Sequence, residues 1–283
     1  MCELLGMVAS EPADVLFSFT GLAMRGGQTG PHADGWGLAV YDGKFARLFL
    51  EEHPAYSSPF ARFLRENQML AKLAVAHVRK LTRGAASIHN THPFRRVVNG
   101  RHIVFAHNGT LPTIRSRPLR RESTLGDTDS EHAFCVLLEA LRERFGPNYP
   151  DDPLQLGSLL FELGNELGQD GVFNFLFADG QHLFARCGDS LYATVRRPPF
   201  GDVTLVDAEV SMNFGDHAGG SSELRMAAVA TMPLTRNESW IRGTPGTLWL
   251  FAQGDLVHTW TPAPGYVEAH PVIVPDVNRA ETG

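Results

Sequence analysis

Cysteine is scarce in this chain: its 283 residues hold three, at Cys2, Cys135 and Cys187. Three thiols cannot build a disulfide framework, and their spacing fits no zinc module. No excess of positive charge is present either; the formal net charge of −6 excludes nucleic-acid binding as the main role. No apolar run reaches the roughly 20 residues that a membrane-spanning helix needs. The opening Met-Cys-Glu-Leu-Leu-Gly-Met-Val has no basic leader and no long apolar stretch. No secretory signal is expected from it, and the reading is of a reduced, cytoplasmic protein. An internal repeat, a linker and the Gly-Lys-Ser/Thr ending of a phosphate loop are likewise missing. What remains is globular composition, 43% hydrophobic and 20% charged, enough for a sizeable core and too apolar for disorder.

The pattern along the chain is one of strands paired in hairpins, interrupted by a few helices. Leu4 to Ala9 reads as an apolar strand and Pro12 to Phe19 as a short helix. Asp42-Gly43, Asn99-Gly100, Asp179-Gly180 and Gly254 each separate two strand-like runs, the usual dipeptide chemistry of tight hairpins. Leu73 to Val78 reads as a further buried strand. The spacing of Ala133, Phe134, Leu137, Leu138, Leu141 and Phe145 predicts a helix over 129–145, with Thr128 and Glu131 as a capping box and Gly146-Pro147 as its stop. Two more helices are predicted over 153–167 and 58–67. Strand hairpins mixed with helices indicate an α+β layered architecture. One domain over 2–262 is expected, with a proline-rich surface tail over 263–283.

Position 2 carries the first chemical signal. Removal of Met1 before a small residue would leave Cys2 with a thiol and a free α-amine on one residue, a nucleophile with its own base. An α-amine titrates at about 7.7–8.0 and a thiol at about 8.5, so the amine can take the thiol proton near neutrality. Four segments follow in order. His32-Ala-Asp-Gly-Trp-Gly37 closes a glycine-rich stretch beginning at Gly26, where backbone can approach a ligand closely or a loop can move. Ala76-His-Val-Arg79 places a planar cation at the end of a buried strand, suited to a carboxylate, or to a structural ion pair. Phe105-Ala-His107-Asn108-Gly109 offers a side-chain amide and an unobstructed N–H at one point, two donors fit for an oxyanion hole; read alone, the pair is also a common turn. Gly126-Asp-Thr-Asp129-Ser-Glu131 sets Asp129 at a helix start, where a carboxylate is favoured and can receive an ammonium.

Taken in this order, the series resembles the class II glutamine amidotransferases, a branch of the N-terminal nucleophile hydrolases. The likeness runs over roughly residues 2–260 and includes Val172 to Arg186 and Ala230-Thr-Met-Pro-Leu-Thr235 with Trp240. It is nearest to the stand-alone bacterial members, the ergothioneine-pathway enzymes and the glutathione-degrading amidohydrolases. The resemblance implies a four-layer αββα sandwich and cleavage of a γ-amide through a Cys2 thioester. By the same resemblance Asn108 and Gly109 would bind the oxyanion, Arg79 the substrate α-carboxylate and Asp129 its α-ammonium. Thr82 would assist near the carboxylate, although Lys80 and Arg83 depart from the synthase-linked pattern. A small γ-glutamyl compound is the implied substrate, with no cofactor, metal, nucleic acid or membrane. Two alternatives stay open: a glutaminase subunit that passes ammonia to a separate synthase, and a non-catalytic γ-glutamyl-binding module.

Other clusters have plainer readings. His89 and His92, with His77, His102 and His107, lack accompanying carboxylates at ligand spacing, so they read as core and loop histidines and not as a zinc site. Arg115, Arg117, Arg120 and Arg121 form a basic loop beside the expected site, solvated or open to an acidic substrate or partner. Cys135 and Cys187 read as inert core thiols.

Overall fold

The structure, a computed structural model, describes residues 2–81, 86–215 and 223–262 and the backbone of 216–217 and 271–273. The chain opens with β1 (Glu3–Asp14), α1 (Leu16–Arg25), the hairpin β2 (Trp36–Asp42) and β3 (Phe45–Glu51), α2 (Pro59–Arg65) and β4 (Leu70–Val78). The hairpin β5 (Phe94–Val98) and β6 (Arg101–Thr110) leads to helices α3 (Asp129–Phe145) and α4 (Pro153–Leu167). Next come β7 (Val172–Ala178), β8 (His182–Arg186), β9 (Tyr192–Arg196), β10 (Asp202–Leu205), β11 (Ser211–Asn213) and the short α5 (Phe214–His217). The last elements are β12 (Met226–Ala230), β13 (Thr235–Arg236), β14 (Ser239–Arg242), β15 (Leu248–Ala252), β16 (Asp255–Trp260) and β17 (Pro271–Ile273). The fold is α+β, as the hairpin-and-helix pattern indicates.

The strands form an eight-stranded sheet in the order β17-β14-β9-β12-β1-β4-β2-β3, a six-stranded sheet in the order β16-β15-β8-β7-β6-β5, and a small sheet β11-β10-β13. Side-chain alternation sorts the apolar residues into separate clusters. Leu38 and Val40 of β2 and Ala74 and Ala76 of β4 pack with Leu16, Phe19 and Leu22 of α1 and Leu64 of α2. The opposite faces of β2 and β4, through Ala39 and Val75, join Leu4 and Val8 of β1 in packing against Val104, Ala106, Leu176 and Leu183 of the six-stranded sheet. That sheet turns Ile103, Phe105, Phe173, Phe175 and Phe177 outward, against Phe134 and Leu138 of α3 and Leu156 and Leu160 of α4. Residues 103 to 106 thus alternate between helix side and sheet side. Continued by two residues, the alternation sends His107 toward α3 and Asn108 between the sheets. This parity positions the site.

Several expected boundaries hold. The α3 span matches 129–145, and Asn99 and Gly100 both take positive φ, 48° and 74°, in a two-residue turn whose sense follows the strand twist. Others differ. Pro12 to Phe19 is not one helix: β1 continues to Asp14, which pairs with Leu70 after a bulge. The helix begins only at Leu16, where the Asp14 carboxylate accepts the Leu16 N–H at 2.9 Å. The capping box at α3 is half formed. Thr128 Oγ1 accepts the Glu131 N–H at 3.1 Å, but the Glu131 carboxylate accepts from the N–H groups of Leu125 and Gly126 and from Arg96 instead of returning to the cap. Within the stretch read as a tail, residues 271–273 pair with β14 as an edge strand.

Candidate active site

The register of β1 decides where Cys2 lies. Glu3 opposes Val78 and Leu4 opposes His77, so residue 2 projects past the end of β4 onto the Arg79-Lys80 backbone. There Cys2 Sγ accepts the Lys80 N–H at 3.3 Å and approaches the Lys80 carbonyl oxygen at 3.4 Å. Burial pushes the thiol above its ordinary pKa, against the pull of the Lys80 backbone bond and the Arg79 guanidinium, while the Asp129 carboxylate adds to the rise. The resting thiol is therefore neutral, and a base must deprotonate it before it can attack.

Cys2 lines a cavity of about 220 Å³ together with Arg79, His92, Gly109, Arg115, Asp127 and Asp129. Its walls bring together the N-terminus, the end of β4, the end of β6 and the start of α3. A larger open groove of about 1000 Å³ runs along α3 beside Arg117, Arg120 and Glu139, but none of the motif residues lines it. The smaller cavity, which holds the thiol, is the candidate site.

Arg79 follows directly on β4. Its N–H donates to the Gly35 carbonyl at 2.8 Å, and its own carbonyl accepts from Asp34 N–H at 3.0 Å. The guanidinium is buried; burial lowers its pKa, while the Cys2 thiol, Asp34 and Asp127 pull it upward. Asp129 opens α3. One carboxylate oxygen accepts the Leu111 N–H at 2.7 Å and the other the Ser130 N–H at 2.9 Å, so the group is fixed in place by two backbone donors. At Gly109 a Cβ would overlap the carbonyl oxygen of Val172 on the neighbouring strand, so only glycine fits there.

Asn108 does not line the cavity surface. It is fully buried between the sheets; its Nδ2 makes one long contact, 3.5 Å to Thr231 Oγ1, and its Oδ1 has no hydrogen-bond partner among the described residues. Thr231 Oγ1 also accepts the Leu4 N–H at 2.9 Å, tying the strand of the nucleophile to the Asn108 amide. Opposite, Asn174 Nδ2 donates to the Asn108 carbonyl at 3.0 Å, and Asn174 Oδ1 accepts from the backbone of Gly188, Asp189 and Ser190. The motifs alone did not reveal Thr231, Asn174 or the Lys80 backbone as neighbours of the site. Thr231 and Asn174 did lie within stretches that carry the family likeness, and that was their only signal. Thr82 lies outside the described residues.

The glycine-rich stretch makes its close approaches to protein and not to the cavity. A Cβ at Gly37 would overlap the His92 carbonyl oxygen and the Leu50 side chain, and one at Gly35 would come within 3.0 Å of the Glu51 carbonyl. These glycines let the loop pack under Arg79. The histidines divide similarly. His77 and His92 pack with ring centroids 4.3 Å apart and planes tilted by 59°, and burial holds both well below the ordinary imidazole pKa. His107 Nδ1 meets Ser130 Oγ at 2.8 Å, and burial lowers this ring too. All three are neutral near pH 7. Among the described residues no group of three or more His, Cys, Asp or Glu side chains could hold a metal ion, and no helix is long and apolar enough to cross a membrane.

Comparison with known proteins gives a consistent family. Residues 1–271 match the profile of the "Glutamine amidotransferases class-II". The Escherichia coli K12 protein named "Putative glutamine amidotransferase YafJ" is 42% identical over 257 residues, covering 91% of this chain and 100% of that one. A crystal structure of a predicted glutamine amidotransferase from Pseudomonas aeruginosa superposes with a TM-score of 0.71 at 35% identity, covering 91% of this chain and 100% of the other. The glutamine phosphoribosylpyrophosphate amidotransferase of Bacillus subtilis shares the fold alone, with a TM-score of 0.50 at 12% identity, covering 92% of this chain and 49% of that one. With a matching profile over nearly its whole length and full-length relatives above 30% identity, the chain belongs to the class II glutamine amidotransferase family.

Proposed function

We propose that this protein is an amidohydrolase that cleaves the γ-amide of glutamine or a γ-glutamyl compound through a thioester on Cys2. The observation that carries this reading is the shared cavity: the Cys2 thiol, Arg79, Gly109 and Asp129 line one small space. In this reading Met1 is removed and the Cys2 α-amine accepts the thiol proton, which the raised thiol pKa makes necessary. The thiolate attacks the carbonyl carbon of the γ-amide, and the oxyanion that forms receives the Gly109 N–H and the Asn108 Nδ2. The long Asn108–Thr231 contact supports this role, because an amide so weakly held is redirected at little cost. Collapse breaks the C–N bond, and the leaving amine departs with the proton from the α-ammonium. Water then cleaves the thioester, releases glutamate and restores the thiol. Arg79 holds the α-carboxylate, Asp129 the α-ammonium, and Thr82 assists near the carboxylate.

The same reading takes residues 2–262 as the catalytic domain, 263–283 as its tail, and the fold as the αββα sandwich of the N-terminal nucleophile hydrolases. The separate apolar clusters on the outer faces and between the sheets support the sandwich. Three free thiols are compatible with a reducing, cytoplasmic setting. The test is hydrolysis by the purified chain, with loss of Met1 verified by intact mass. Glutamate release from glutamine or a γ-glutamyl amide is expected without any partner. Activity only after addition of a synthase subunit would favour an ammonia donor. Binding of γ-glutamyl compounds with no turnover under either condition would favour a binding module.

A further inference from the structure

With or without a glutamyl group in place, the charged side chains that line the cavity carry one positive charge in excess. Its walls carry three cations, Arg79, Lys80 and Arg115, and two carboxylates, Asp127 and Asp129. Asp129 is held by backbone donors, and Asp127 accepts from Asn90 Nδ2 at 2.6 Å and lies in the field of Arg79. A glutamyl α-carboxylate and α-ammonium add no net charge. The excess is therefore one positive charge, and neither Lys80 nor Arg115 forms an ion pair with a carboxylate among the described residues.

Arg115 is also set in place before any ligand arrives. It sits in a single 3₁₀ turn, Ile114–Ser116, whose Ile114 is buried. The turn is pinned by Thr113, whose N–H and Oγ1 donate to the Asp170 carboxylate at 2.8 and 2.7 Å, and by Ser116 Oγ donating to the Thr113 carbonyl at 2.8 Å. His132 Nε2 meets the Arg117 carbonyl at 2.8 Å and fixes the exit. The Arg115 guanidinium spends one nitrogen, Nη1, on the Asp127 carbonyl at 2.9 Å. Its Nε and Nη2 form no bond among the described residues. A fork held by one corner on a rigid turn is preorganised to receive a planar anion.

We infer that Arg115 recognises a carboxylate on the leaving group, so that the substrate class is a γ-glutamyl amino acid or peptide rather than glutamine. The inference rests on the proposed Cys2 chemistry. In the reaction the bond between the γ-carbonyl carbon and the amide nitrogen breaks as the Cys2 thioester forms, the nitrogen leaves with the proton from the Cys2 ammonium, and Arg115 keeps hold of the departing amino acid's carboxylate. Ammonia has no group for Arg115 to meet.

The experiment compares γ-glutamylglycine with γ-glutamylethylamide, which is similar in size but lacks the terminal carboxylate, in the parent chain and in Arg115→Gln and Arg115→Lys. The parent is expected to favour γ-glutamylglycine in kcat/KM by about tenfold, the lower range for a charge-assisted bond at an exposed rim. Arg115→Gln should bring the ratio near one, Arg115→Lys should keep part of it, and added salt should shrink it in the parent. A parent ratio at or below one, or a ratio that Arg115→Gln leaves unchanged, overturns the inference while the amidohydrolase reading stands. Failure of the parent to cleave either compound while it releases glutamate from glutamine overturns the inference alone, and failure on glutamine as well overturns both.

Discussion

Replacement of Asn108 by alanine should separate catalysis from stability. The side chain is fully buried, with Oδ1 unpartnered and Nδ2 held only at 3.5 Å. A buried polar group left without a partner costs about 1–3 kcal/mol, so its removal returns energy of that order. The void left by three heavy atoms, and the loss of the weak Thr231 contact, cost roughly 1–2 kcal/mol in the other direction. The two nearly cancel, and urea unfolding of Asn108→Ala should lie within about 1 kcal/mol of the parent, with an unchanged slope. Loss of one oxyanion donor, by contrast, lowers kcat by roughly 10²–10³, about 2.7–4 kcal/mol of transition-state stabilisation. KM should change little, because the donor meets charge that exists only in the transition state. Single-turnover glutamate release and urea titration on one preparation provide both numbers. A kcat within about fivefold of the parent, or a fall in kcat matched by a comparable loss of folding stability, would refute the assignment and make Asn108 a structural residue.

Three further outcomes are expected. Cys2→Ala should abolish turnover with the unfolding midpoint preserved, and Cys2→Ser should keep at most a trace, since a hydroxyl is a far weaker nucleophile; turnover in pure Cys2→Ala would remove Cys2 from the chemistry. Arg79→Lys and Asp129→Asn should raise KM for every γ-glutamyl substrate, the first by loss of the paired guanidinium contacts and the second by facing an amide toward the Leu111 N–H; equal inhibition by glutarate and glutamate would speak against Asp129 as the ammonium site. Burial raises the Cys187 thiol to about 12 from an ordinary 9.0. Between these values the unfolded chain releases the proton and the folded chain keeps it, so stability falls as pH rises, by up to ~1.4 kcal/mol per pH unit. Cys187→Ala should flatten that slope in alkaline unfolding curves.

The sequence by itself determined what depends on near neighbours. Asn99-Gly100 chose a turn because both residues tolerate positive φ. The apolar face of 129–145 and the Thr128 cap chose α3 because a helix repeats within four residues. The ordered motifs around Cys2, Arg79, Asn108, Gly109 and Asp129 identified the family for the same reason: each is a short run. Tertiary structure alone decided how the runs meet. Strand register set Cys2 against the Lys80 backbone, and strand parity sent His107 to α3 and Asn108 between the sheets, where Thr231 waits from far along the chain. Glu131, which reads as a cap, was diverted to the 125–126 backbone because that loop's N–H groups needed an acceptor. The neutrality of three histidines and the raised thiol are also tertiary, since desolvation is a property of the surroundings and is written in no single residue.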